Sequence, residues 1–144
     1  MRVLGIDYGR RRLGLALSDE EAVLATPLPH QRRSHSLDRD VRALASLASA
    51  RGVGAIVVGL PLHMLGVPGE MADEATLFAQ KLGEAARVPV ELIDERLTSA
   101  EAERVLLEAD LSRQRRKQLR DSLAAVLILQ SYLDQHCAGD DVGS

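Results

Sequence analysis

The run Ala55-Ile56-Val57-Val58 has no polar side chain on either face. A strand of that composition has to be covered on both sides, as in parallel sheets packed between helices. Val90-Glu91-Leu92-Ile93-Asp94 reads as a second such strand, and the stretch from about Glu70 to Ala86 between them has the length of a crossover helix. Strands joined in this way form right-handed parallel units.

Upstream, the pattern changes. Arg2 to Asp7, Leu13 to Ser18 and Ala22 to Thr26 are β-type runs separated by short polar gaps, the first of which holds Gly9. They read as an antiparallel meander joined by hairpin turns, with Pro27 and Pro29 ending the third strand. Leu37 to Ala50 has helical spacing, and Ser36 is placed to cap it. Thr98-Ser99-Ala100-Glu101 fits a capping box that starts a helix to about Glu108, and Ser112 caps a last helix reaching about His136. The order predicts an α/β fold: a mixed sheet of three antiparallel and then two parallel strands, with helices packed on it. A chain of 144 residues suits one domain, here residues 1–137, with a mobile polar tail over 138–144.

Composition removes several classes of function. Tyr8, Phe78 and Tyr132 are the only aromatic residues, too few for a protein that stacks single-stranded bases on aromatic platforms. A lone Cys137 excludes an internal disulfide framework and a cysteine-based zinc site. The longest apolar run, Leu123 to Leu129, is too short to span a bilayer, and no leader pattern precedes the first strand. A soluble cytoplasmic protein with no membrane partner is expected.

Charge is distributed unevenly. The net charge is −3, yet of eighteen basic residues all but Lys81 and Lys117 are arginine. They gather at Arg10-Arg11-Arg12, at Arg32-Arg33 and between Arg113 and Arg120, where no acid intervenes. Solvated surface charge accounts for any one cluster; three in a net acidic chain favour a phosphodiester partner. The cations expected on phosphate are Arg10, Arg11, Arg12, Arg96, Arg113, Arg116 and Lys117.

Sites in open α/β sheets form beyond the carboxyl ends of parallel strands. Asp7-Tyr8-Gly9, Gly59-Leu60-Pro61 and Asp94-Glu95-Arg96 fall at such ends, so Asp7 and Glu95 can converge. Asp121 stands at the mouth of a helical segment, Leu123 to Leu129, that is apolar on every face and therefore expected to be buried. Ala124 and Ala125 on its own face would let that helix lie close to the sheet. Three crowded carboxylates repel one another, and a hard divalent cation resolves the conflict. Two such ions roughly 4 Å apart can activate water and stabilise the leaving oxygen of a phosphodiester. Each acid also has a plainer role: Asp7 as a turn cap in the Gly9 loop, Glu95 paired with Arg96, and Asp121 as the i,i+4 partner of Lys117. Histidines 30, 35, 63 and 136 show no metal-type spacing and read as surface or loop residues.

The segments GIDYGRRRLGLALSD, VVGLP, DERLTSAEAE and RKQLRDSLAAVLILQSYL together resemble the YqgF/RuvX family of bacterial nucleases and Holliday junction resolvases. The likeness runs from Arg2 to Leu133. It implies a ribonuclease H-like fold and a Mg²⁺- or Mn²⁺-dependent endonuclease. The implied tasks are maturing the 5′ end of pre-16S rRNA or resolving four-way DNA junctions, so the partner is structured RNA or branched DNA. It also implies Asp7, Glu95 and Asp121 as catalytic metal ligands, with Asp94 as the alternative to Glu95. A junction has two strands to cut, which favours a homodimer. The chain departs from the family at Leu62-His63-Met64-Leu65-Gly66, where relatives commonly read L-N-M-D-G, and at Arg120, usually an apolar position. Two other classes remain: a non-catalytic nucleic-acid-binding adaptor of this fold in transcription or ribosome assembly, and an ATPase of the actin and sugar-kinase type. The second needs two such domains.

Overall fold

The computed structural model describes residues 1–60, 69–94 and 122–136, with the backbone alone at residue 60, residues 69–72 and residue 94. The elements are β1 (Arg2–Tyr8), β2 (Arg12–Ser18), β3 (Ala25–Arg32), α1 (Leu37–Ala50), β4 (Val53–Leu60), α2 (Gly69–Ala86), β5 (Val90–Asp94) and α3 (residues 122–136). The strands form one sheet in the order β3-β2-β1-β4-β5. β2 is antiparallel to β1 and to β3, whereas β1, β4 and β5 run parallel. This is the expected mixed sheet, with β1 at its centre. The helix expected from Thr98, the loop from Leu62 to Gly66, Cys137 and the tail lie outside the described residues.

α1 and β5 have the predicted bounds. The Ser36 hydroxyl accepts from the Arg39 amide at 3.2 Å and so satisfies one of the free amides at the start of α1. β3 differs from expectation. It begins at Ala25 and runs through Pro27 and Pro29 to Arg32, instead of ending before them. The reason is its place in the sheet: among the described residues β3 pairs only with β2, and an edge strand tolerates residues that have no amide to donate.

Alternation divides the sheet into two faces. Leu4, Ile6 and Tyr8 of β1 point to the side covered by α1 and α2, where they join Leu44, Ile56, Val58, Phe78 and Leu82 in the larger cluster. Tyr8 and Phe78 meet there with ring centroids 5.0 Å apart. Val3, Ala16, Ala55 and Val57 point to the other side and pack with Ala125, Ile128, Leu129 and Leu133 of α3. On the strands the buried residues of this second layer are alanine and valine, and the larger buried ones come from α3. The expectation that the whole segment from Leu123 to Leu129 is buried is corrected: only Ala125, Ile128 and Leu129 are, while Leu123, Ala124, Val126 and Leu127 are half-buried. A helix lying on a sheet buries one stripe, whatever the composition of its outer side.

Candidate active site

Asp7 is the penultimate residue of the central strand and is half-buried. Its side chain lies on the α3 face, two residues beyond Gly5. Its direct neighbours in the sheet are Gly14 of β2 and Gly59 of β4. Cross-strand neighbours share a face, so the carboxylate is flanked on both sides by residues with no side chain. One row back, Gly5 lies between Ala16 and Val57, and there α3 presses directly on the strand. A Cβ on Gly5 would lie 2.7 Å from Leu129 Cβ and 3.1 Å from the Ala125 carbonyl oxygen.

Two side chains fix how α3 crosses the sheet. The Ser122 hydroxyl donates to the Leu28 carbonyl at 2.6 Å. Eight residues on, Gln130 accepts from the Ala25 amide at 3.0 Å and donates to the Val23 carbonyl at 2.9 Å. From residue 130 back to residue 122, the helix therefore follows β3 from Ala25 towards Leu28, which is also the direction of β1. The N-terminal end of the described helix points to the end of the sheet that carries Asp7.

The turn after β1 is held from the opposite side. Arg33, just past β3, donates its backbone amide to the Arg11 carbonyl at 2.9 Å and its Nη1 to the Gly9 carbonyl at 3.1 Å. Its Nε meets Asp40 Oδ2 at 3.4 Å, and its guanidinium lies 4.8 Å from the centre of the Tyr8 ring. Asp40 is only 2 % exposed, and its other oxygen accepts from the Ser34 amide and hydroxyl. Arg33 is thus tied into the fold and half-buried, unlike the exposed Arg32 beside it. Burial raises the Tyr8 phenol above its ordinary pKa against the pull of Arg33, with Glu74 raising it slightly further. No hydrogen bond of good geometry reaches the Tyr8 hydroxyl among the described residues, although both charges act on it.

Of the anticipated site residues, Asp7 stands at the predicted edge and Arg10, Arg11 and Arg12 are exposed on the adjoining turn. Glu95, Asp121, Arg96, Arg113, Arg116 and Lys117 lie outside the described residues. Among the described residues, no three of His, Cys, Asp and Glu gather to hold a metal, and no helix is long and apolar enough to cross a membrane. Sequence reasoning missed the Arg33–Asp40 pair, because an acid in the first turn of a helix reads as a partner for its dipole. It also missed Gly14 and Gly59 as the walls beside Asp7, which only the strand register reveals.

Comparison with known proteins places this arrangement. A family model described as "RuvX: Holliday junction resolvase" matches residues 1–135. The chain belongs to the RuvX family. A relative from Syntrophomonas wolfei, named "Putative pre-16S rRNA nuclease", is 47 % identical to this RuvX-family chain over 98 % of it and 99 % of its own length. Another of the same name, from Pelotomaculum thermopropionicum, is 48 % identical over 93 % of this chain and 87 % of its own length. Among solved structures, Thermus thermophilus RuvC in complex with a Holliday junction substrate superposes with a TM-score of 0.58 at 21 % identity, over 94 % of this chain and 96 % of that one. The RuvX-family chain therefore shares the ribonuclease H-like fold of RuvC.

Proposed function

We propose that the protein is a divalent-metal-dependent endonuclease that cuts phosphodiesters in structured RNA or branched DNA, with Asp7, Glu95 and Asp121 as its catalytic acids. The nuclease class rests on family membership, and the two substrate classes on the family description and the relatives' name. A bacterial protein that matures pre-rRNA works in the cytoplasm, and residues 1–137 would act as one domain. The observation that carries the site is Asp7 itself: a half-buried carboxylate at the end of the central strand, with Gly14 and Gly59 on either side.

A Mg²⁺ or Mn²⁺ ion suits this position, since it takes oxygen donors and the strand neighbours of this carboxylate are both glycines, which leave room for the waters that Mg²⁺ retains. Glu95 and Asp121 are proposed on two grounds. Ile93 packs with the α3 layer and Leu92 with the other, so alternation favours Glu95 over Asp94 for the Asp7 face. Four helical residues advance about 6 Å and two strand residues about 6.6 Å. With Ala125 resting on Gly5, that shared repeat recommends Asp121, four residues before Ala125, as the partner of Asp7, two residues beyond Gly5. When bound, the metal would supply Lewis-acid stabilisation of the negative charge that develops on the phosphoryl and leaving oxygens. The chain's acids hold and orient it, while Arg10, Arg11 and Arg12 bind the backbone phosphates.

The test is Asp7→Asn, assayed with Mg²⁺ or Mn²⁺ on a precursor of 16S rRNA and on a four-way DNA junction. Even residues one step removed from a metal are worth about 10- to 100-fold, so the loss expected here exceeds about 100-fold. Binding should persist, and Tm should be unchanged or raised because a half-buried charge is removed. Undiminished cleavage would dismiss the site. Binding by the wild type without cleavage of either substrate would turn the reading into the adaptor.

A further inference from the structure

We infer that Arg33 and Asp40 are positioning residues for substrate, holding the arginine-bearing turn Gly9–Arg12 in the place from which it meets phosphate. The inference rests on the nuclease reading above, and on the three exposed arginines as its phosphate contacts. Arg33 grips the turn twice, through its amide on Arg11 and its Nη1 on Gly9. Its side chain is held in turn by Asp40, and the two side chains are 15 % and 3 % exposed. An acid so buried, with one oxygen facing Arg33 and the other taken by Ser34, leaves the guanidinium little freedom. The Tyr8 ring beneath it closes the remaining side. Asp7 and the arginines are therefore joined by a stiff segment: Tyr8 is locked in the core, Gly9 and Arg11 are tied to Arg33, and Arg10 lies between them.

A flexible turn would have to be ordered each time substrate binds, whereas a turn already fixed avoids that penalty. Asp40→Asn keeps the shape and every cation of the surface but presents an amide to the Arg33 Nε. Arg33→Lys keeps the charge but loses the fork that spans Asp40 and Gly9 together. Both variants should fold, judged by circular dichroism, and both should bind a four-way DNA junction, in Ca²⁺ to prevent cleavage, about tenfold more weakly. The distinguishing readout is the salt dependence of Kd. With all phosphate contacts retained, the slope of log Kd against log salt should match the wild type in both variants. Arg10→Ala, by contrast, should lower it by about one. A purely structural pair would lower Tm and leave the Kd of the folded protein unchanged. If Asp40→Asn fails to fold, Arg33→Lys decides alone. Wild-type affinity in every variant that folds overturns the inference and leaves the nuclease reading intact. A wild type whose binding ignores salt overturns the inference together with the reading of Arg10, Arg11 and Arg12 as phosphate contacts.

Discussion

Gly5→Ala tests the contact on which the candidate site depends. The new Cβ would lie 2.7 Å from Leu129 Cβ, 0.7 Å inside the ordinary contact distance of 3.4 Å, and 3.1 Å from the Ala125 carbonyl oxygen. Neither partner can rotate away, because both atoms are fixed to the backbone of α3. The helix or the strand has to move. Overpacking of this kind costs about 1–3 kcal/mol, and a clash between two backbone-fixed atoms belongs near the upper end. Replacing glycine also removes freedom from the unfolded chain, which stabilises by about 0.4–1 kcal/mol. The clash wins, leaving a net loss of about 2 kcal/mol and a fall in Tm of about 4–8 °C. A displacement of roughly 0.7 Å at the helix should also lower cleavage about 10- to 100-fold in protein that is still folded, since 1 Å errors in catalytic geometry are of that size. Calorimetry and a cleavage assay below the new Tm measure the two effects separately. Leu129→Ala should not rescue the variant, because the offending Cβ remains. A Gly5→Ala protein that melts and cuts like the wild type would refute the claim that α3 rests on Gly5.

Two further substitutions address the supports around it. Gln130→Ala strips the partners from the Ala25 amide and the Val23 carbonyl, and should destabilise by about 2 kcal/mol in urea unfolding; a change below about 0.5 kcal/mol would show that the clamp contributes nothing. Asp19 accepts from the Val23 and Leu24 amides, Leu24 having the larger effect, and these bonds hold its carboxyl below its ordinary pKa. A lowered pKa gives stability that is present above the unfolded value and lost as pH falls through the folded one. The Tm deficit of Asp19→Ala should therefore be full at neutral pH and shrink below about pH 4; a deficit constant down to pH 2 would contradict this.

Some of the structure was legible one residue at a time. Ser36 marks the start of α1, and the wholly apolar run at 55–58 announces a doubly covered strand, because capping and burial are local demands. β3 was not legible in this way. Whether Pro27 and Pro29 end a strand or sit within it depends on whether that strand has a neighbour on its far side, which is a property of the sheet order. Asp40 failed for a similar reason: its partner Arg33 lies in a different element, and the periodicity of α1 alone does not distinguish a buried acid from a solvated one. Asp7 lies between the two cases. Its position at a strand end can be read directly, but the flanking glycines come from strands β2 and β4 and meet it only through the register.

The shortage of aromatic residues takes on a meaning that composition alone does not carry. Tyr8 and Phe78 both lie on the α1–α2 side of the sheet, whereas the α3 side buries alanine, valine, Ile128, Leu129 and Leu133, with Tyr132 partly buried against them. The two fully buried aromatic rings thus stabilise the face away from Asp7. Small residues at Gly5, Ala16 and Ala125 allow a helix to approach the working face at backbone distance. A helix held off by larger side chains would sit further from the strand that carries Asp7, and no rotamer of a short aspartate could span the difference. This chain's small residues Gly5 and Ala125 are therefore as much a part of the proposed site as its acids. Their role is to set how closely α3 approaches the strand that carries Asp7.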